Sequence, residues 1–164
     1  MKNNKVQFMS QGAIIAALYV ALTHASNMAG LASGAIQIRL SEALTILPLF
    51  TPAAIPGLFI GCLLSNLTTG CIPWDIVGGS MATLIGALGT YALRKYPYLG
   101  SVPPILANVL IVPFVLAYAY GFKGTIPYFM LTVSIGEIIC CCVLGTLLML
   151  ALKKHPNRIR WAKF

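Results

Sequence analysis

The sequence predicts an all-α integral membrane protein, a six-transmembrane-helix bundle with both termini cytoplasmic, forming one domain across residues 1–164. Three observations carry that expectation. The chain is 59% hydrophobic and 9% charged, with a mean hydropathy of +0.87, more apolar surface than a water-soluble domain tolerates. Its 164 residues accommodate about six spans of roughly 20 residues with short loops and no soluble domain. The basic residues, which give a formal charge of +8, gather at the ends of apolar segments, so topology accounts for them better than nucleic acid does.

The N-terminal MKNNKVQF sets two lysines before an apolar run, as a signal peptide does. Residues 12–32 offer no convincing cleavage site and lead into further spans, so the run is expected to remain as helix one, from about residue 10 to residue 28. Ala13, Ala17, Ala21 and Ala25 recur along it at every fourth position. Small residues at this spacing let another helix approach closely, either within the bundle or on a separate membrane subunit. Residues 27–35, rich in Gly, Ala and Ser, form a loop that delivers the chain to Gln37, Arg39 and Glu42.

Helix two is short, about residues 41–50, because Pro48, Pro52 and Pro56 break or kink the path; helix three continues to about residue 69 with Asn66 near its far end. A loop at residues 70–74 holds Cys71, Pro73 and Trp74, and Asp75 is placed to cap helix four, which runs to about residue 93. Helix five covers about residues 102–120 and helix six about 127–152, with Glu137 near its middle.

Under this map Lys2, Lys5, Arg94, Lys95, Lys153, Lys154, Arg158, Arg160 and Lys163 share one side and only Arg39 and Lys123 the other, nine against two. Fusing helices two and three gives five spans, an external N-terminus and a distribution of eight against three. The fused span would cover residues 41–69 with three prolines, beyond the roughly 17 to 25 residues usual for one crossing, so two short helices are preferred.

Glu42, Asp75 and Glu137 are the only acidic residues, and each lies in or beside an apolar stretch. An ionisable group at the bilayer centre costs roughly 2.5 to 3.5 kcal/mol on insertion scales, so each needs a reason. Arg39, Glu42, Asn66, Trp74 and Asp75 all come near the outer face and Glu137 sits deeper, a convergence of polar groups that suits a small-solute pocket. Simpler roles compete: an Arg39–Glu42 salt bridge at i, i+3, helix capping by Asp75, interhelical hydrogen bonding by Asn66 and Asn108, and an interfacial anchor at Trp74. Glu137 has no such simple role, being too deep for its short side chain to reach water.

The five cysteines, Cys62, Cys71, Cys140, Cys141 and Cys142, lack CxxC spacing and partnering histidines and read as packing residues, with no metal or cofactor expected. His24 reads as a satisfied interface histidine, and the basic tail KKHPNRIRWAKF suits an anionic inner leaflet. No phosphate loop, HExxH or GxSxG occurs, which argues against an ATPase or an intramembrane enzyme, and no inverted repeat is evident.

At QIRLSEALTILPLF (residues 37–50), GLFIGCLLSNL (57–67) and DIVGGSMATLIGA (75–87) the chain closely resembles the QueT family of queuosine-precursor transporters. These are substrate-binding S components of energy-coupling factor (ECF) transporters, and the resemblance covers nearly the whole chain. It implies a six-helix S component that captures a 7-deazaguanine, such as 7-aminomethyl-7-deazaguanine or queuine, from outside. The partners implied are an ECF transmembrane scaffold subunit and two ATPase subunits, whose hydrolysis topples the S component in the lipid bilayer; nucleic acid is not among them. The family's AxxxA docking surface resembles the stripe at Ala13, Ala17 and Ala21.

The chemistry of the residues is compatible with that solute, because a carboxylate accepts adjacent N–H donors of a guanine-like edge in pairs and a second carboxylate suits an aminomethyl cation. Glu137 is expected at the edge, Glu42 or Asp75 at the amine, Asn66 at remaining polar atoms and Trp74 over the ring face. Competing readings are an S component for another flat heterocycle such as a vitamin, a stand-alone proton- or cation-coupled carrier, and a structural subunit without a solute.

Overall fold

A computed structural model describes residues 2–31, 36–119, 121 and 125–154. Residues 32–35 of the first loop, Lys123 and the tail beyond Lys154 lie outside the described residues. Every regular element among the described residues is helical. Helix α1 (Lys2–Met28) starts eight residues earlier than its apolar stretch suggests, because residues 2–10 contain neither Gly nor Pro to break it. It ends in a Schellman motif: Gly30 takes φ +71, Leu31 N–H reaches Ser26 C=O at 3.0 Å and Gly30 N–H reaches Asn27 C=O at 3.0 Å.

The element after the loop departs from the expected α-helix. Leu40–Leu49 is a 3₁₀ helix of 10 residues, far longer than the usual three or four. At about 2 Å per residue it reaches about 20 Å, where an α-helix of equal length reaches about 15 Å, so a short segment reaches far through the bundle. It runs antiparallel to α1: Leu40 N–H meets Ser26 Oγ at 2.9 Å, Thr23 Oγ1 meets Ser41 Oγ at 2.9 Å, and Thr51 at the far end meets Gln11 at 3.2 Å. It packs against α1 and, as defined below, α2, α3, α6 and the π-helical stretch between α5 and α6. This segment is the hub of the molecule.

Helix α2 (Ala54–Thr68) returns parallel to α1. The seam is made by small residues: a Cβ on Gly57 would lie 2.7 Å from Gly12 O, and one on Gly61 would lie 2.7 Å from Tyr19 Cβ. The Leu40–Leu49 segment and α2 are therefore separate antiparallel elements rather than one kinked helix. Gly70, at φ +74, closes α2 as Gly30 closes α1, with Cys71 N–H on Asn66 C=O at 3.0 Å.

Helix α3 (Pro73–Ala92) packs closely on α4 (Val102–Phe114). Pro113 removes a backbone donor near the end of α4, and the chain widens into a π turn at Val115–Ala119. Helix α5 (Ile126–Glu137), a second π stretch (Ile138–Leu144) and α6 (Gly145–Lys154) form one continuous helix of 29 residues.

The surface is inverted relative to a water-soluble protein. Exposed positions include Ile14, Ile60, Val77, Leu110, Leu131 and Leu147, whereas Ser26, Thr51, Asn66, Thr83 and Thr90 are buried. Three helices, 4–28, 97–118 and 126–154, are long and apolar enough to cross a bilayer, and Leu40–Leu49 and Ala54–Thr68 are shorter apolar helices. Exposed Trp74, Tyr118 and Tyr128 ring one end of α3–α5, and exposed Tyr96 and Tyr98 the other, as aromatic residues do at membrane interfaces.

Candidate functional site

The hub segment with the residues just before it, α2, α3, α4 and α5 enclose a cavity of about 40 Å³ lined by Gln37, Arg39, Glu42, Cys62, Asp75, Thr83, Asn108 and Glu137, among others. This space suits a few waters rather than a bicyclic ring. Five of the seven residues anticipated for substrate binding, Arg39, Glu42, Asp75, Asn108 and Glu137, meet here although they are scattered over a hundred positions of sequence.

Arg39 stands just before the 3₁₀ helix in extended backbone (φ −102, ψ 102). Its guanidinium reaches across to α3, with Nη2 3.8 Å from Asp75 Oδ2 and Nη1 donating to Asn66 Oδ1 at 3.3 Å. The i, i+3 pairing with Glu42 is therefore replaced by a longer-range one. Asp75 is also displaced from its expected role: Ile72 occupies the cap position and Pro73 opens the helix, where a missing N–H costs nothing. Asp75 sits within the first turn, its N–H on Ile72 C=O at 3.0 Å, and its carboxylate still lies at the favourable positive end of α3.

Asn66 is fully buried but stands behind the cavity wall, donating to Asp75 C=O at 3.4 Å. It positions both members of the ion pair. Trp74 is 72% exposed and is not on the cavity wall, a placement that matches the interfacial-anchor reading. Asn108 donates from Nδ2 to Glu137 Oε1 at 2.9 Å. Glu137 closes α5 immediately before the π stretch, about 16 Å along the helix from Ile126. π turns often mark functional positions because they re-aim side chains and free carbonyls; here Ser101 Oγ donates to Cys141 C=O at 2.8 Å. The preceding Gly136 has no room for a Cβ, which would collide with the Gln37 carbonyl.

Sequence reasoning missed the anchor of Glu42. Tyr19, 1% exposed, donates its hydroxyl to Glu42 Oε1. Tyr19, Thr23 and Ser26 form a polar stripe at i, i+4, i+7, a signal available in the sequence but overshadowed by the alanines. The cysteine reading missed Cys62 on the wall and Cys141, whose thiol donates to Glu137 Oε2 at 3.2 Å. Donor atoms of Glu42, Glu137 and Cys141 lie within 4.8 Å of one another, a mixed oxygen and sulfur set short of the four ligands of a structural zinc site. His24 bonds Thr68 Oγ1 at 2.9 Å on the surface, as a satisfied histidine.

Ala13, Ala17 and Ala21 are exposed, so they do not pack inside the bundle. Beside them lies an apolar groove of about 490 Å³ between α1 and α2, lined by Phe8, Ala13, Ala17, Val20, Ile60 and Leu64 among others.

An apolar-surfaced helical bundle that seals charged groups inside defines a multi-pass membrane protein of the bacterial cell membrane. The chain belongs to the QueT transporter family, whose profile matches residues 9–154. Over 86 residues it is 36% identical to the "Queuosine precursor transporter QueT" of Lactococcus lactis subsp. cremoris (strain MG1363). That match covers 52% of this chain and 50% of the relative, so it spans about half the relative's length. No solved structure matches the chain.

Proposed function

We propose that the chain is the substrate-binding S component of an ECF-type importer and captures a queuosine precursor, a 7-deazaguanine such as 7-aminomethyl-7-deazaguanine or queuine. The observation that carries this reading is the cavity itself, where Arg39, Glu42, Asp75, Asn108 and Glu137 converge inside an apolar bundle of the QueT transporter family. Carboxylates and an amide offer paired acceptors and a donor to a guanine-like edge, and buried polar groups discriminate strongly because an imperfect ligand leaves them unpaired. The ring needs more space than the cavity now offers, so binding involves outward movement of its wall.

The reading includes six membrane passes with the N-terminus in the cytoplasm. Lys5, Arg94, Lys95, Lys153 and Lys154 belong to the helix ends opposite the cavity, a distribution that supports an externally facing cavity by the positive-inside rule. Exposed Ala13, Ala17 and Ala21, beside the α1–α2 groove, supply the docking face for a transmembrane scaffold subunit that is joined by two ATPase subunits. This chain is a transport subunit rather than an enzyme, and hydrolysis occurs in those partners.

Calorimetry on the purified chain in detergent, with 7-aminomethyl-7-deazaguanine, queuine, guanine and a vitamin panel, tests the substrate. Saturable binding of a deazaguanine that Glu137→Gln abolishes supports the reading. Binding of a vitamin instead, by a folded chain indifferent to deazaguanines, overturns it.

A further inference from the structure

The cavity's charges divide into a matched pair and a surplus. Arg39 is engaged with Asp75 at 3.8 Å and with Asn66 at 3.3 Å, so one cation and one carboxylate are already joined. The surplus is Glu42 and Glu137, whose carboxylate oxygens approach within 4.8 Å. Both oxygens of Glu137 have donors, Asn108 at 2.9 Å and Cys141 at 3.2 Å. Glu42 differs: Oε1 accepts from Tyr19, while Oε2 is buried with no hydrogen-bond partner among the described residues, on a residue only 4% exposed. A buried carboxylate oxygen left unpaired is costly, and two carboxylates this close repel unless a cation or proton joins them.

We propose that Glu42 Oε2 is the acceptor for a ligand ammonium group, with the Glu137 carboxylate as its second counter-charge, so that this site selects aminated ligands over neutral ones of the same shape. The inference rests on the reading of the cavity as a heterocycle site and refines it, assigning the amine to Glu42 rather than to Asp75. Geometry separates those two carboxylates. Asp75 already neutralises Arg39, whereas Glu42 is held from behind by Tyr19, which fixes one oxygen and aims the other. The free volume of about 40 Å³ suits a single ammonium head even before the wall moves to admit the ring. Because the ammonium would enter a site shielded from water, the contact is worth far more than a surface ion pair.

The test compares 7-aminomethyl-7-deazaguanine with its 7-cyano analogue, which has the same ring and no ammonium, by calorimetry on the intact purified chain. Wild type is expected to prefer the amine by about 30-fold or more, and Glu42→Gln to bring that ratio within about threefold by weakening the amine alone. Glutamine keeps an acceptor for Tyr19, and thermal melting reports that the variant is folded. If the variant fails to fold, the wild-type ratio decides, since equal binding of the two ligands overturns the proposal. A Glu42→Gln variant that weakens both ligands equally also overturns it, while leaving the deazaguanine reading intact. Failure of folded wild type to bind either ligand overturns that reading and the proposal with it. Zinc chloride alone is the third probe: stoichiometric zinc binding lost in Glu42→Gln, with the amine-to-cyano ratio unchanged, makes the group a metal seat and overturns the ammonium assignment.

Discussion

The two faces of α1 present opposite solutions to life in a bilayer. The inward face carries Tyr19, Thr23 and Ser26, and each spends its hydroxyl inside the protein, on Glu42, on Ser41 and on the Leu40 backbone. The outward face carries Ala13, Ala17, Ala21 and Ala25, all exposed beside an apolar groove. Polar side chains are used where a partner is fixed by the fold, because an unsatisfied group in hydrocarbon is costly. Small apolar ones are kept where a surface stays bare in the isolated chain, because lipid fills the space until another helix does. One helix thus holds the cavity from behind and exposes a smooth surface in front, so the proposed substrate site and the proposed docking face share a single rigid element.

Substitutions can break this contrast, from the largest expected effect on the isolated chain to the smallest. Gly61→Leu drives a side chain into the inner seam, where its Cβ alone would lie 2.7 Å from Tyr19 Cβ and 3.0 Å from Ala16 O. It should destabilise by about 3 kcal/mol or more, read as a lowered melting temperature and loss of monodisperse protein in detergent. Glu137→Gln should leave melting nearly unchanged yet weaken deazaguanine binding about 100-fold, roughly the 3 kcal/mol of a charge-assisted contact, by calorimetry.

Tyr19→Phe removes the hydroxyl that holds Glu42 and should cost about 1 to 3 kcal/mol of stability, again by melting, with weaker substrate binding. Ala17→Leu puts the same side chain on the bare face. Its stability should stay within about 0.5 kcal/mol of wild type and its substrate binding unchanged, while substrate uptake by cells expressing the whole transporter falls to background. Equal damage from Gly61→Leu and Ala17→Leu in melting would show that the outward face is not free.

The site was partly legible in the sequence. Glu42, Asp75 and Glu137 stood out because charge in an apolar run is conspicuous, and they do meet at one cavity with Arg39 and Asn108. Trp74 stood out for its neighbourhood, yet a position beside Asp75 on a helix points about 100° away around the axis, and the ring faces outward. Tyr19 went unnoticed because the alanine stripe overshadowed its polar i, i+4, i+7 series and its partner Glu42 is remote in sequence, and Cys141, one turn after Glu137, because a cysteine in an apolar run reads as packing. Their importance lies in contacts across 23 and 4 positions of sequence.

By itself the sequence determined that the chain is a membrane bundle with its ionisable groups inside, since hydropathy and the cost of buried charge act on each segment independently of its neighbours. Only the tertiary structure decided the 3₁₀ form of the hub, the choice of Asp75 over Glu42 as partner of Arg39, and which face of α1 was left bare. Those outcomes depend on how the loop into Leu40 and the glycine seam bring distant elements together. Pairing across elements is set by that geometry, and a one-dimensional pattern does not contain it.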